Sequence, residues 1–230
     1  MRVATALAAG MALALLGVGL ALLPMLYPTF TKLLSQRYSL VAQSGLSAEH
    51  ILATAEQVRA FVADGDIDQL PVTVDGRPGF DAAAVSHLRD VRRVLAGART
   101  FTGVLAALVA VWLGVLIARR RVSAISDALF AGAGWCVLLV ALAAAAGTTD
   151  FEALFTWFHG LFFSAGTWEF PTDSLLIEVF PEGFWIAAGL TWAALVSLGA
   201  VAMGVAGWLV RGANAVSFDA RTKGFRADGA

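Results

Sequence analysis

TTDFEALFTWFHGLFFSAGTWEFPTDSLLIEVFPEGFW, residues 148–185, carries eleven of the chain's 24 aromatic side chains, six carboxylates, one histidine (His159) and neither Lys nor Arg. Long apolar runs flank it on both sides. Aromatic rings mixed with polar groups suit the boundary between water and hydrocarbon, where amphipathic rings sit at headgroup depth. The stretch reads as the floor of an active site that opens to the outer side of a membrane.

Composition points the same way. The chain is 59% hydrophobic, has a mean hydropathy of +0.76 and is only 14% charged, where an average soluble domain has about 25% charged residues. A soluble chain so apolar lacks the polar groups to cover its own surface, whereas a polytopic membrane protein does not need them. A net charge of -1 gives no bulk attraction for nucleic acid. The single cysteine, Cys136, rules out an internal disulfide and argues against a thiolate metal site.

Four spans are expected. Residues 3–26 form an unbroken apolar run after Arg2, with Pro24, Tyr27 and Pro28 at its end. No small-x-small cleavage site follows, so an uncleaved span is favoured over a signal peptide. Residues 100–118 form the second span and end at Arg119-Arg120-Arg121, residues 128–147 the third, and residues 184–210 the fourth, ending at Arg211. Arg2, the triple arginine, and Arg211, Arg221, Lys223 and Arg226 all fall on one side, and no cation occurs between Arg121 and Arg211. The positive-inside rule then places both termini, the loop 119–127 and the tail 211–230 in the cytoplasm, with loops 27–99 and 148–183 outside. The expected architecture is an all-α integral membrane protein. It is a four-transmembrane-helix bundle with an extracytoplasmic helical and hairpin cap, one membrane domain over residues 1–230. None of the four spans contains Asp, Glu, Lys, Arg or His, which disfavours a pump or ion channel, since those need ionisable groups at membrane depth.

The first outer loop is locally readable. Ser47 can cap a helix bearing Glu49 in its first turn, with Ile51, Ala55, Val58 and Val62 at helical spacing. Asp64-Gly65-Asp66 ends it. Val72 and Val74 alternate with polar neighbours around Asp75-Gly76 and Pro78-Gly79, a short hairpin. Asp81 can cap a further helix that carries His87, Asp90 and Arg93 toward the second span.

Chemistry has few places to sit. His50 reads as a solvated helix residue. His87 and Asp90 stand at i and i+3, so the carboxylate can orient the imidazole; a plain ion-pair network of Arg89, Arg92, Arg93 and Arg99 against lipid phosphates explains the same spacing. For a helix over 151–163 capped by Thr149 or Asp150, Glu152, Thr156, His159 and Phe163 share a face, and Thr156 is within hydrogen-bonding reach of His159. The aromatic surroundings would desolvate that imidazole and favour its neutral form. The competing reading is a histidine satisfied by a backbone carbonyl. There is no GxSxG elbow for Ser164 or Ser174 and no HExxH motif for zinc. Two histidines with Asp90, Glu169 or Asp173 make only a weak metal set.

FHGLFFSAGTWEF, DSLLIEVFPEGFW and HLRDVRRV together resemble the four-span family of lipoprotein intramolecular transacylases of Gram-positive bacteria, in span order over nearly the whole chain. The resemblance implies transfer of one acyl chain from the diacylglyceryl group of a bacterial lipoprotein to the amine of its N-terminal cysteine, leaving a lyso form. It implies no cofactor and no metal, lipidated lipoproteins and membrane phospholipid as partners, and His87 and His159 as the functional histidines. Asp90 and Arg93 would complete the catalytic group, and Thr156, Phe163, Trp168 and Glu182 would bind substrate. One histidine would act as base, while the other, or Arg93, would stabilise the oxyanion; the two histidines can exchange these roles. Ala84, where relatives would carry an acid, and the weakly polar Ser164-Ala165-Gly166 depart from the pattern. A metal-dependent membrane hydrolase and a non-catalytic envelope protein are the alternatives. The transacylase reading requires the two imidazoles to converge on a shared apolar cleft.

Overall fold

The computed structural model describes residues 3–39 and 44–227, with side chains described as far as residue 213. Arg2 and the side chains of Arg221, Lys223 and Arg226, used above to orient the chain, lie outside the described residues. The helices are α1 (Val3–Leu22), α2 (Pro28–Tyr38), α3 (Ala48–Arg59), α4 (Ala82–Ala118), α5 (Val122–Thr149), α6 (Phe151–Gly160), α7 (Leu175–Val179) and α8 (Glu182–Ala227). A two-stranded antiparallel hairpin, β1 (Thr73–Val74) and β2 (Arg77–Pro78), lies between α3 and α4.

Four helical segments are long and apolar enough to cross a membrane: Val3–Leu26, Ala82–Ala118, Val122–Thr149 and Glu182–Ala213. The second has 37 residues, about 55 Å at 1.5 Å per residue, while a hydrocarbon core is about 30 Å thick. Its charged first half, with Arg89, Asp90, Arg92, Arg93 and Arg99, therefore stands outside the apolar span that begins at Thr100. Two boundaries differ from the sequence reading. The connector expected at 119–127 shrinks to three residues, because α5 starts at Val122 after a left-handed turn at Arg120 (φ 54°). The tail expected from residue 211 continues α8 to Ala227.

The chain divides into two compact units. The first comprises Met1–Leu20, Phe101–Leu142 and Ala194–Ala230. Its centre is Leu13, Val109 and Ala128, packed by Leu16, Leu105, Trp112, Leu129 and Met203, so α1, α4, α5 and α8 all contribute. Small residues set how closely the helices approach. A Cβ on Gly10 would fall 2.5 Å from the Ala131 Cβ and 2.7 Å from the Gly132 backbone nitrogen. Ser126 donates to the Gly207 carbonyl at 2.9 Å, and Asp127 pairs with Arg211 at 3.0 Å. Gly10→Ala is expected to destabilise the bundle by about 1–3 kcal/mol, because backbone cannot yield as a side chain can. Thermal unfolding in detergent measures this, with Gly134→Ala, whose Cβ would meet nothing within 4 Å, as the control.

The second unit comprises Ala21–Thr100 and Ala143–Ala193. Ser47 caps α3 by accepting the His50 N–H at 3.1 Å, and Asp81 caps α4 by accepting the Ala84 N–H at 2.8 Å. Asp75 and Gly76, both at positive φ, turn the hairpin. Ile51, Ala55 and Val58 of α3, with Phe61 of the π-helical turn Ala60–Asp64 that follows it, pack against Ala84 and Leu88 of α4 and Leu175, Leu176 and Val179 of α7. Polar side chains then fix this core. Arg59 pairs with Glu56 and Asp64 and donates to the Leu26 carbonyl at 3.0 Å. Arg92 lies over the Phe61 ring and donates to the Ile67 carbonyl, and Arg99 donates to the Ala63 carbonyl. Arg92 and Arg99 thus hold the loops around α3.

Candidate active site

Core packing of Ala84 and Leu88 sets the rotation of α4 and turns His87, between them in sequence, inward, leaving it 8% exposed. Asp150 starts α6 by accepting the Ala153 N–H at 2.9 Å, which puts His159 in the last turn of a ten-residue helix. The two rings converge, with centroids 6.3 Å apart and planes 28° apart. Phe163 lies 4.9 Å from His87 and 5.7 Å from His159, and Phe170 lies 5.6 Å from His87. Phe155 and Trp168 cover His159 at 3.9 Å and 4.7 Å. Cavities of about 440 Å³ and 690 Å³ lie along α3, lined by residues such as Gln57 and Leu70 or Lys32 and Glu49, and neither is lined by a histidine. The rings meet among the aromatic side chains of Phe155, Phe163, Trp168 and Phe170.

Electrostatics follow from this packing. Burial pushes the His159 pKa below its ordinary value, with the bond to the Phe155 carbonyl acting the other way. His87 is pushed down to about 4, by burial first and by its neighbour His159 second, with the Asp90 charge opposing both. In both rings burial favours the neutral imidazole. The His159 Nδ1 stands 2.9 Å from the Phe155 carbonyl oxygen. A carbonyl can only accept, so Nδ1 carries the proton and Nε2 keeps its lone pair.

Of the residues singled out from sequence, the fold brings together His87, His159, Phe163 and Trp168. Asp90 does not orient His87: its carboxylate is bonded to Arg93, and the shielded His87 Nδ1 has no hydrogen-bond partner among the described residues. Both pairs have i,i+3 spacing, but the guanidinium is always charged and reaches farther, while His87 is neutral and turned into the core. Arg93 itself is 77% exposed. Thr156 is exposed, and the His159 bond goes to the carbonyl one full turn back instead. Glu182 is exposed in the first turn of α8.

The sequence reading passed over Phe155 and Phe170. Phe155 was detectable, since it stands at i-4 to His159 and shares its face; Phe170, in a loop, has no periodicity to reveal it. Also missed was Glu178, 4% exposed on α7 and paired at 3.3 Å with Arg77 of the hairpin. Among the described residues no three His, Cys, Asp or Glu side chains converge as a metal site.

The model of the lipoprotein intramolecular transacylase family Lit matches residues 7–185, more than half the chain and including both histidines. The chain belongs to the lipoprotein intramolecular transacylase family. None of the curated proteins matches it in sequence. Among solved structures it is similar to the membrane-integral lipoprotein intramolecular transacylase Lit from Bacillus cereus, at TM-score 0.74 and 14% identity, over 92% of this chain and 96% of that one. Two forms of the Bacillus cereus transacylase, each with one histidine replaced, by arginine or by alanine, both match at TM-score 0.70 and 15% identity. They cover 93% and 92% of this chain and 93% and 94% of theirs. At such identities the likeness concerns the fold, an integral membrane arrangement of four apolar helices, while membership of this transacylase family rests on the sequence model.

Proposed function

We propose that this transacylase moves an acyl chain from the diacylglyceryl group of a bacterial lipoprotein onto the amine of its own N-terminal cysteine, with His159 as the general base. The observation that carries this is the pair of shielded imidazoles side by side in an aromatic cluster, one of them oriented by the Phe155 carbonyl. The Nε2 of His159 takes a proton from the cysteine ammonium, and the freed amine attacks the ester carbonyl. Donor and acceptor belong to one molecule, so a site that only folds them together can contribute several kcal/mol, about 7 or more in well-oriented systems. His87, buried and without an ionic partner, contributes to the electrophilic side of the site, and Phe163 and Trp168 bound the space for substrate. Cations at Arg119–Arg121 and Arg211 support the reading of cytoplasmic termini and an extracytoplasmic active site, the side on which lipidated N-termini and phospholipid headgroups would be met.

Mass spectrometry of lipoprotein N-termini tests this in cells that lack other N-acylating activity. The chain should convert diacylglyceryl N-termini to N-acylated lyso forms, and His87→Ala or His159→Ala should leave them unconverted. An unchanged diacylglyceryl pattern with the wild-type chain present contradicts the proposal.

The protonation states are separately testable, because the chain has only three histidines. In a His50→Gln background, ¹⁵N-imidazole NMR in detergent should find His87 mostly neutral at pH 6 and His159 taking up its proton below its ordinary value of 6.5. Protonation of either ring above its ordinary value of 6.5 contradicts the burial described. Stability follows the same sign. It is fully present above pH 6.5 and declines as pH falls below it, because the unfolded chain takes up protons that the buried rings refuse.

A further inference from the structure

We infer that the indole N–H of Trp168 is the hydrogen-bond donor that stabilises the oxyanion formed during acyl transfer, an inference that rests on the acyl-transfer reading above. Three observations carry it. First, Trp168 Nε1 is shielded from solvent and has no hydrogen-bond acceptor among the described residues. A Trp N–H can only donate, and shielded donors in folded proteins nearly always find a partner, so an unanswered one calls for an explanation. Second, Trp168 packs 4.7 Å from the base His159 and 6.2 Å from Phe155, within the same aromatic cluster. Third, the local backbone is built to hold it there. Ser164 to Thr167 form a turn in which the Ser164 carbonyl accepts both the Thr167 N–H at 3.2 Å and its hydroxyl at 2.8 Å, with Gly166 at φ 77°. That left-handed φ favours glycine, and the turn delivers Trp168 two residues later. The weakly polar Ser164-Ala165-Gly166, a departure at the level of sequence, is the element that sets the indole.

The donors expected from sequence are less suited to this task. Arg93 is exposed and bonded to Asp90, and His87 has no Asp90 to hold it. The reaction balances without a co-reactant. His159 Nε2 removes a proton from the ammonium, the amine nitrogen bonds to the ester carbonyl carbon, and the C=O π pair moves onto oxygen beside the Trp168 N–H. His159 passes the ammonium proton to bulk water and then takes the second N–H proton from the intermediate. Collapse re-forms C=O and breaks the bond to the glyceryl oxygen, which receives that second proton from His159 and leaves as the alcohol, so one proton is released overall. A donor unsatisfied in the resting site and engaged only as charge develops favours the transition state over the ground state.

The test is incorporation of 3-(3-benzothienyl)alanine at position 168 of the full-length chain in detergent, with a synthetic diacylglyceryl lipopeptide as substrate. This residue keeps the size and shape of the bicycle and replaces only the N–H by sulfur. The expected result is a fall in kcat of about 10²-fold with KM within threefold, as for removal of one oxyanion donor. The pH profile should stay unchanged, because the base is untouched; a shifted profile would assign Trp168 to positioning His159 and overturn the donor role. Trp168→Phe should give the same kcat loss. Wild-type kcat in the benzothienyl enzyme overturns the inference and leaves the acyl-transfer reading standing, whereas absence of transfer by the wild-type chain overturns both.

Discussion

His159→Ala lowers the rate of N-acylation by about 10²–10⁴-fold, the span ordinarily supplied by a positioned general base. The effect belongs in kcat. The imidazole sits beneath Phe155 and Trp168 rather than on an exposed binding face, so ground-state affinity should change little. Folding should survive, because α6 is held by the Asp150 cap and by the aromatic contacts of Phe151 with Phe155, none of which needs the imidazole. His159→Gln should not restore the rate, since an amide has no basic nitrogen. Single-turnover kinetics with a diacylglyceryl lipopeptide measure the loss, and unchanged kcat in His159→Ala would assign the base elsewhere.

Phe61→Ala is expected to cost about 3–5 kcal/mol of stability, the largest structural effect of a single truncation here. Phe61 is fully buried in the π-helical turn that follows α3, and its ring lies under the Arg92 guanidinium at 4.9 Å. Truncation removes ring burial, leaves a cavity against the core that also holds Ala84 and Leu88, and strips Arg92 of its cation–π contact. Because those two α4 residues flank His87, activity should fall at elevated temperature before it falls at low temperature. A thermal midpoint within a degree or two of wild type would mean that this core does not support the histidine as described. Phe61→Leu, which refills most of the volume, should recover a large part of the loss.

How much of this was legible in the chain depended on the range of the interaction. The four spans are visible because a run of about 20 apolar residues has few other uses. Ser47, Asp81 and Asp75-Gly76 are visible because capping and turn chemistry acts over two or three residues. The helix that carries His87 into the second span is likewise continuous in its pattern. The partners of the histidines were not readable in the same way. Spacing allowed Asp90 to serve either His87 or Arg93, and only the burial of the imidazole, a tertiary fact, gives the carboxylate to Arg93. Thr156 and the Phe155 carbonyl were both within a turn of His159, and backbone geometry favoured the carbonyl. The Arg77–Glu178 pair joins a hairpin to a five-residue helix a hundred residues on, and no periodicity links them.

Intramolecular N-acylation conserves mass, and this gives the most direct measurement. The purified chain is mixed with two diacylglyceryl lipopeptides of different peptide sequence, one with perdeuterated acyl chains. The account predicts products of unchanged intact mass whose tandem mass spectra place one acyl chain on the N-terminal nitrogen, with deuterated chains found only on the peptide that began with them. Products lighter by one acyl group, or deuterated chains exchanged between the two peptides, would contradict it.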